Sequence, residues 1–200
     1  MGFLTLQKIL LWVVLLNALV FAHSTVRVEV EFSAVFDEVG FSGVRNHWVY
    51  DEESSREILY KAFGVDSVPN DTLASRIVFD NIFENAREKN YYCYVLNGAD
   101  FVSATGVSDF KVSYKAKKMV LDFVVDFSIP ARGEYTMIVA VVSDQTNAIM
   151  MDLVTDKTGA IFPKSLDVEY FYDFLHGMTM MKAFRPEVEG LFLRFRTRAK

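Results

Sequence analysis

The feature that most constrains the fold is a change of hydrophobic period along the chain. From Thr25 to Phe32, apolar and charged residues alternate, which is the period-two pattern of a strand with one face in water. Between Ser54 and Lys89, apolar residues recur at helical spacing instead. From Tyr91 onward, short apolar runs separated by turn residues predict strands again. This order predicts an α+β domain, an antiparallel β-sheet or sandwich with an inserted pair of helices.

Turn residues indicate where the strands begin and end. Gly40 and Gly43 are expected to bracket the turn of a first hairpin, whose second strand covers residues 44–50. Asn97-Gly98 is a strong signal for a second, two-residue hairpin turn. The strands predicted after the helices are 91–96, 110–114, 119–129, 135–142, 148–154, 168–174 and 191–198.

Capping residues indicate the ends of the two helices. Ser54 and Glu57 have the spacing of a capping box, in which a serine and a glutamate satisfy the first free amides of a helix. Gly64 is placed to end this first helix. Pro69 opens the second, which is expected to stop at Asn90.

The first 22 residues have the pattern of a secretion signal. Lys8 is the only charged residue before His23, and 13 apolar or nearly apolar residues follow it, fewer than the roughly 20 that a permanent membrane span needs. Val20 and Ala22 stand three and one residues before the expected cut. We therefore predict cleavage after Ala22 and a single exported domain over residues 23–200, in the periplasm or another extracytoplasmic space. An uncleaved N-terminal anchor is the alternative.

Cysteine usage and net charge exclude several classes of protein. Cys93 is the only cysteine, so no intramolecular disulfide and no lipid anchor on a cysteine after the apolar block are expected. The 18 phenylalanines and nine tyrosines are ample for a core. The formal net charge of −5 argues against nucleic acid or an anionic membrane surface as the partner.

The new N-terminus is a candidate metal site. After cleavage, His23 offers an α-amine and an imidazole, a natural chelate for Ni²⁺, Cu²⁺ or Zn²⁺. A tight site needs further ligands, and His47 on the second strand is the candidate. The alternative is a solvated terminus that binds nothing.

A second candidate lies near the C-terminus. His176, Met178, Met180 and Met181 combine an imidazole with thioethers, which suit Cu(I). Methionine is also an adaptable core filler, so packing within the core or against a partner is the competing interpretation.

Two charged segments have a structural and a functional interpretation. Asp51 and the two glutamates after it lack the regular oxygen spacing and the glycine of a calcium loop. Asp51 and Ser54 are expected to cap the first helix, and the two glutamates to favour its positive end. Arg194, Arg196 and Arg198 share one face of the last strand. They can meet an anionic ligand or an acidic partner, or they can be the solvated edge that keeps a terminal strand from aggregating.

No catalytic motif is present. The chain has three histidines and one cysteine, and it contains no nucleophile elbow, phosphate loop or zinc-type cysteine pattern. Cys93 stands among tyrosines and is expected to be a buried small hydrophobe. The sequence therefore predicts a non-enzyme.

Two stretches resemble the domain-of-unknown-function 1007 family. The segment from Trp48 through Asp51 to Ser55 is similar to the family's Trp-x-Phe-Asp-Glu-x-x-Ser element, with tyrosine for phenylalanine. We expect Trp48 of this element to be buried. The family's mature chain begins His-Pro-His, where this chain has His23 followed by Ser-Thr. A later Tyr-Asp-Pro of the family corresponds to a segment in which only Asp144 agrees.

The resemblance implies an exported bacterial protein, described in the family as the periplasmic component of an uncharacterised ABC-type transport system. The family's histidine pair suggests handling of nickel, cobalt or zinc, and this chain has Thr25 in place of the second histidine. The first hypothesis is therefore an exported accessory or binding protein of a transport system, which handles a transition metal and works with a membrane transporter complex. The alternative is a non-enzymatic envelope protein-interaction module without a small ligand.

Overall fold

The computed structural model describes residues 26–64, 71–146, 148–178 and 188–198. Within these residues the protein is mostly β, with two sheets and a few helical segments, which confirms the predicted α+β class. The strands are β1 (Val26–Phe36), β2 (Gly40–Tyr50), β3 (Cys93–Asn97), β4 (Asp100–Val102), β5 (Gly106–Lys115), β6 (Lys118–Pro130), β7 (Thr136–Val142), β8 (Ile149–Leu153), β9 (Gly159–Ile161), β10 (Val168–Met178) and β11 (Val188–Thr197). The predicted signal segment, residues 1–22, lies outside the described residues.

The two sheets differ in strand direction. Sheet A has the order β5-β6-β2-β1, and both β8 and β9 pair in parallel with the remaining edge of β1. Sheet B has the order β10-β11-β7-β3-β4, and all its pairs are antiparallel. The sequence predicted only antiparallel pairing. The parallel edge arises because the chain returns from sheet B to sheet A along the direction of β1, a long-range connection that no local pattern records.

The inner faces of the sheets form one core. Phe36 meets Phe195 edge to face with 4.9 Å between ring centres, and Phe32 lies 6.4 Å from Phe174. The apolar positions of the alternating pattern in β1 all belong to this core. Because side chains in a strand alternate between faces, the charged residues between them face outward.

The first hairpin turns earlier than the glycines suggested. Asp37 makes the turn, since its side chain accepts hydrogen bonds from the amides of Val39 (2.8 Å) and Gly40 (3.0 Å). Gly40 and Gly43 instead lie within β2, where a Cβ would come within 2.4 Å of the Ile129 carbonyl oxygen and 2.8 Å of a neighbouring backbone oxygen in β6, respectively. The glycines therefore allow close strand contact and are not turn residues.

The first helix, α1 (Glu52–Phe63), begins before the predicted capping box. Its N-cap is Asp51, whose carboxylate accepts the Ser54 amide at 2.7 Å. Ser54 therefore lies inside the helix and is not its cap. Gly64 ends α1 in the left-handed conformation (φ 69°), as predicted.

The second helical stretch begins as α2 (Asp71–Val78), continues through a π-helical turn (Phe79–Phe83) and ends in a 3₁₀ segment (Glu84–Tyr92). It covers the free edge of β5, because the Ser75 hydroxyl accepts the Val112 amide at 2.8 Å. An edge strand is thereby protected from pairing with another chain. A short 3₁₀ turn (Thr155–Lys157) joins β8 to β9.

Candidate functional site

The family-like element begins in the core with Trp48. Its side chain has no exposed surface, which confirms the expected burial. Phe123 lies edge to face against the indole at 5.1 Å between ring centres, and Phe83 at 6.1 Å. The indole N–H donates to the buried side-chain oxygen of Asn46 at 3.3 Å. Trp48 therefore joins β2, β6 and the second helical stretch within the core, away from solvent.

The rest of the element attaches α1 to the end of sheet A. The Ser55 hydroxyl donates to the Asp51 carbonyl at 2.6 Å and accepts the Met119 amide of β6 at 2.8 Å. The Ser54 hydroxyl accepts the Arg27 amide of β1 at 3.1 Å. The two serines thus satisfy backbone amides at the ends of two strands. Asp51 and Ser55 have a structural role that their spacing alone does not show.

The cap also sets the charge state of Asp51. Desolvation acts to raise the pKa of Asp51, but hydrogen bonds from Ser54 and the nearby charges of Arg27 and Lys118 outweigh it, so the pKa lies below its usual value. The carboxylate is therefore held ionised as a helix cap, as predicted.

Asp144 is a buried carboxylate in the loop that leads from β7 to β8. Its side chain is fully enclosed and accepts the Thr146 amide at 2.9 Å, the Thr146 hydroxyl at 2.7 Å and the Ile149 amide at 2.9 Å. Desolvation acts to raise the pKa of Asp144, but these bonds and the charge of Lys89 outweigh it and lower the pKa. The donors occupy both oxygens, so Asp144 holds the loop.

A strained backbone segment lies beside this loop. Asn90, Tyr91 and Tyr92 have φ values of 51°, 54° and 60°, and each left-handed residue other than glycine costs about 1–2 kcal/mol. Tyr91 stacks on Phe83 at 5.7 Å between ring centres, and the Tyr92 carbonyl accepts the Ser143 amide at 2.9 Å. The sequence predicted that a strand begins at Tyr91. Aromatic packing and this hydrogen bond instead hold Tyr91 and Tyr92 in the left-handed conformation.

His47 lies on the outer face of sheet A, on the opposite side of β2 from Trp48. Its Nδ1 is 2.6 Å from Oδ1 of Asp122 on β6. An ionised carboxylate can only accept, so Nδ1 carries the hydrogen and Nε2 is directed away from this pair. Metal-binding histidines are commonly oriented by a carboxylate in this way. The side chains are 40% and 50% exposed, so His47 is accessible.

The outer face of sheet A carries a second ion pair, between Glu31 and Lys157. Glu31 of β1, His47, Asp122 and Lys111 of β5 stand in one row across four strands. Lys157 lies 2.5 Å from the Glu31 carboxylate. Among the described residues, no group of three or more histidine, cysteine, aspartate or glutamate side chains could hold a metal ion.

A groove of about 670 Å³ runs beside this row, between α2 and β5. Phe79, Val107 and Phe110 give it an apolar floor, and Lys111 and Asp122 lie on its rim. The groove therefore combines apolar surface with charged groups, as small-molecule sites do.

The proposed partner of His47 cannot be placed, because His23 lies outside the described residues. Glu31 is the β1 neighbour of His47, and Val26, where the described chain begins, is five residues and roughly 17 Å farther along β1. A shared metal site would require the chain before Val26 to fold back along the strand.

The His176 and methionine cluster is only partly within the described residues. His176 is exposed and its Nδ1 lies 2.9 Å from the Glu189 carboxylate, so it has a carboxylate partner. Met178 ends β10, whereas Met180 and Met181 lie outside the described residues. The proposal of a Cu(I) site gains no support from the geometry of His176.

The arginine row on β11 is not at an edge of sheet B, because β11 pairs with both β10 and β7. Arg196 donates to the Glu169 carboxylate from Nε at 3.0 Å and from Nη2 at 2.7 Å. Arg198 lies 3.6 Å from Asp167. The interpretation of these arginines as a solvated edge is therefore wrong for Arg194, which has strand neighbours on both β10 and β7.

The outer face of sheet B is largely apolar. Met137 is 52% exposed, Phe171 is 50% exposed and Phe101 is 41% exposed, and the strand registers place them among other outward apolar residues. We call this surface the apolar face, and it comprises Phe101, Met137, Val139, Phe171 and Phe192. Sequence reasoning missed it, although the signal was present in β3 and β7, which are apolar at successive positions and not only at alternate ones.

Among the described residues, no helix is both long and apolar enough to cross a bilayer. The chain has no significant match among curated proteins. A sequence model described as "Protein of unknown function (DUF1007)" matches residues 8–182, nearly the whole chain. That range includes Trp48, Asp51, Ser55 and Asp144, whose contacts hold the helices and loops onto the two sheets. The chain therefore belongs to the DUF1007 family.

Proposed function

We propose that this protein is an exported, non-enzymatic accessory protein of a membrane transport system, and that it works by binding another protein. The observation that carries the proposal is the apolar face of sheet B. The transport context comes from what the family resemblance implies, and export comes from the predicted signal segment.

The apolar face has the character of a binding surface. Its exposed members Phe101, Met137 and Phe171 span β4, β7 and β10, and so extend across the width of sheet B. Contiguous exposed apolar surface is unfavourable in water and marks interaction sites on many proteins. Aromatic residues and methionine are enriched at protein interfaces. This surface is therefore better suited to a protein partner than to water.

The experiment is site-specific photocrosslinking in the cell envelope. A photoreactive phenylalanine analogue replaces Phe171 or Met137, and a matched control replaces Tyr60, which is 66% exposed on α1. We expect one discrete adduct from the two positions on the apolar face and none from position 60. Equal labelling at all three positions, or no adduct from the apolar face, would contradict the proposal.

Metal handling is a second candidate, and the carboxylate-oriented imidazole of His47 favours it. A single oriented histidine leaves most coordination positions to other ligands, so this chain would need the amine and imidazole of His23 or a donor from its transporter.

Calorimetric titration of the processed protein with Zn²⁺, Ni²⁺, Co²⁺ and Cu(I) tests the metal candidate. Binding that is lost in His47→Ala, or on adding one residue before His23, would support it. Binding through an imidazole should also weaken below about pH 6. Affinity no tighter than about 100 μM for every ion would remove metal handling from the proposal.

A further inference from the structure

Building on the proposed function, we propose that the apolar face binds a protein segment that presents a carboxylate among apolar side chains, and that Arg194 receives this carboxylate. The inference concerns this chain in particular, because β11 lies beyond the range that the family match covers.

Arg194 lies within the apolar surface. In the strand register it stands between Phe171 of β10 and Met137 of β7, and its side chain is exposed. A partner that covers the two neighbouring apolar side chains must therefore also cover the guanidinium. Burying an arginine without an acceptor is costly, so a stable partner has to supply one.

The nearby carboxylate of the protein is already occupied. Both oxygens of Glu169 have donors, since the Tyr135 hydroxyl donates to Oε1, and Arg196 donates to Oε2. Arg198 has Asp167. Among the described residues, no carboxylate forms an ion pair with Arg194. Of the three arginines in the row, Arg194 is therefore the one that remains able to bind an external anion.

Tyr135 orients this arginine. The Arg194 guanidinium carbon lies 4.7 Å from the centre of the Tyr135 ring, and that of Arg196 lies 4.2 Å from it. Cation–π contact restricts the side chain while its N–H donors stay available. A guanidinium that is already oriented loses less conformational freedom on binding.

A carboxylate is the ligand that fits this arrangement. The planar guanidinium can donate two parallel hydrogen bonds to a carboxylate, and such pairs are stronger than neutral hydrogen bonds. Arginine and tyrosine are also enriched among residues that dominate binding energy at protein interfaces. The expected partner segment therefore places an aspartate or glutamate opposite Arg194, with apolar residues on either side to cover Phe171 and Met137.

The test uses Arg194→Lys, which keeps the charge and introduces an amine that a carbodiimide can couple to a carboxylate. The reagent activates the partner's carboxylate, the amine attacks it, and an amide forms as the activating group leaves as a urea. The matched control is Arg45→Lys, at an exposed arginine on the outer face of sheet A. We expect an intermolecular adduct from Arg194→Lys in the envelope fraction, joined at an aspartate or glutamate, and none from Arg45→Lys or the unaltered chain.

A second variant combines Arg194→Glu with the photoreactive phenylalanine analogue at position 137. Loss of the charge pair should lower the yield of the photoadduct by about tenfold or more. Circular dichroism and the thermal midpoint check that each variant is folded.

The outcomes separate this inference from the proposed function. Photocrosslinking at position 171 can succeed while Arg194→Lys gives no amide adduct and Arg194→Glu crosslinks as well as the unaltered chain. In that case the inferred carboxylate contact with Arg194 is wrong, and the apolar face still stands as the proposed binding surface. If photocrosslinking also fails, both proposals fall. An amide adduct of equal yield from Arg45→Lys would also overturn the inference, because the coupling would then be nonspecific.

Discussion

The outer faces of sheet A and sheet B differ in the chemical character of their side chains. On sheet A, the row from Glu31 to Lys111 is charged, and it contains the pairs of Glu31 with Lys157 and of His47 with Asp122. On sheet B, outward-facing positions carry Phe171, Met137 and other apolar residues. Surface ion pairs contribute little to stability, but they keep a sheet face compatible with water.

Under our proposal, the outer face of sheet A remains in solvent and the outer face of sheet B binds a partner. The ion pairs on sheet A join residues of the same chain, as His47 and Asp122 do. On sheet B, Arg196 has its own carboxylate, whereas Arg194 has none among the described residues. The outer face of sheet B therefore combines exposed apolar side chains with an arginine that has no ion pair within the described part of the chain.

The largest effect is expected in the core beneath both faces. Trp48→Ala should lower the free energy of unfolding by about 3–5 kcal/mol, because it removes a fully buried side chain that packs on Phe83 and Phe123. Chemical denaturation measures this loss, and Trp48→Phe is the milder control. A decrease in the free energy of unfolding below about 1 kcal/mol would contradict the assignment of Trp48 to a core that supports both sheets.

The loop that carries the chain from sheet B to sheet A gives the next effect. Asp144→Asn keeps one acceptor oxygen, so the amide of Thr146 or of Ile149 loses its partner, at a cost of about 1–3 kcal/mol.

This cost should depend on pH. The pKa of Asp144 is lowered in the folded protein, so its contribution is present above the unfolded-state pKa, near 3.9, and is lost as the pH falls through the lower folded value. Denaturation of both proteins between pH 7 and pH 3 should show their difference shrinking below about pH 4. A constant difference would contradict this assignment.

A smaller effect is expected at the end of sheet A, where α1 is attached. Asp51→Ala removes the acceptor for the Ser54 amide and should cost about 1 kcal/mol, as the loss of a helix cap does. Glu52→Ala, in the first turn of the same helix, is the control and should cost less. If Asp51→Ala left the thermal midpoint unchanged but abolished the photoadduct from position 171, Asp51 would have a binding role that its contacts do not indicate.

The smallest change in stability tests the two faces directly. Met137→Ser and His47→Ser alter exposed positions on sheets B and A, and each should change the free energy of unfolding by only about 0.5 kcal/mol or less. Their effects on binding should differ. Crosslinking from position 171 should weaken with Met137→Ser and stay constant with His47→Ser. Equal weakening of the crosslink by both substitutions would contradict the proposal that the partner binds only the outer face of sheet B.

Much of the fold could be predicted from local pattern. The alternation in β1 and the cap at Gly64 each specify a backbone conformation through a few neighbouring residues. The hairpin predicted at Asn97-Gly98 also forms, but Asn97 pairs with Asp100, so its two turn residues are Gly98 and Ala99. Asn90 was also a sound end point for the helix, since asparagine tolerates the left-handed conformation.

The site was less predictable because its contacts join distant parts of the chain. The left-handed Tyr91 and Tyr92 oppose local preference and are held by Phe83 and Ser143. Ser55 was noticed for its motif, but its bond to Met119 spans 64 positions. Such contacts leave no periodic trace in the sequence.

By itself, the sequence determined the fold class, the burial of Trp48 and the presence of an arginine row on the last strand, because each follows from residue type and spacing. Only the tertiary structure decided that β11 lies inside a sheet and that Arg194 stands between Phe171 and Met137. The physical reason is strand register. It depends on long-range pairing and core packing across the whole domain, so the neighbours of an outward-facing residue are not encoded near it in the chain.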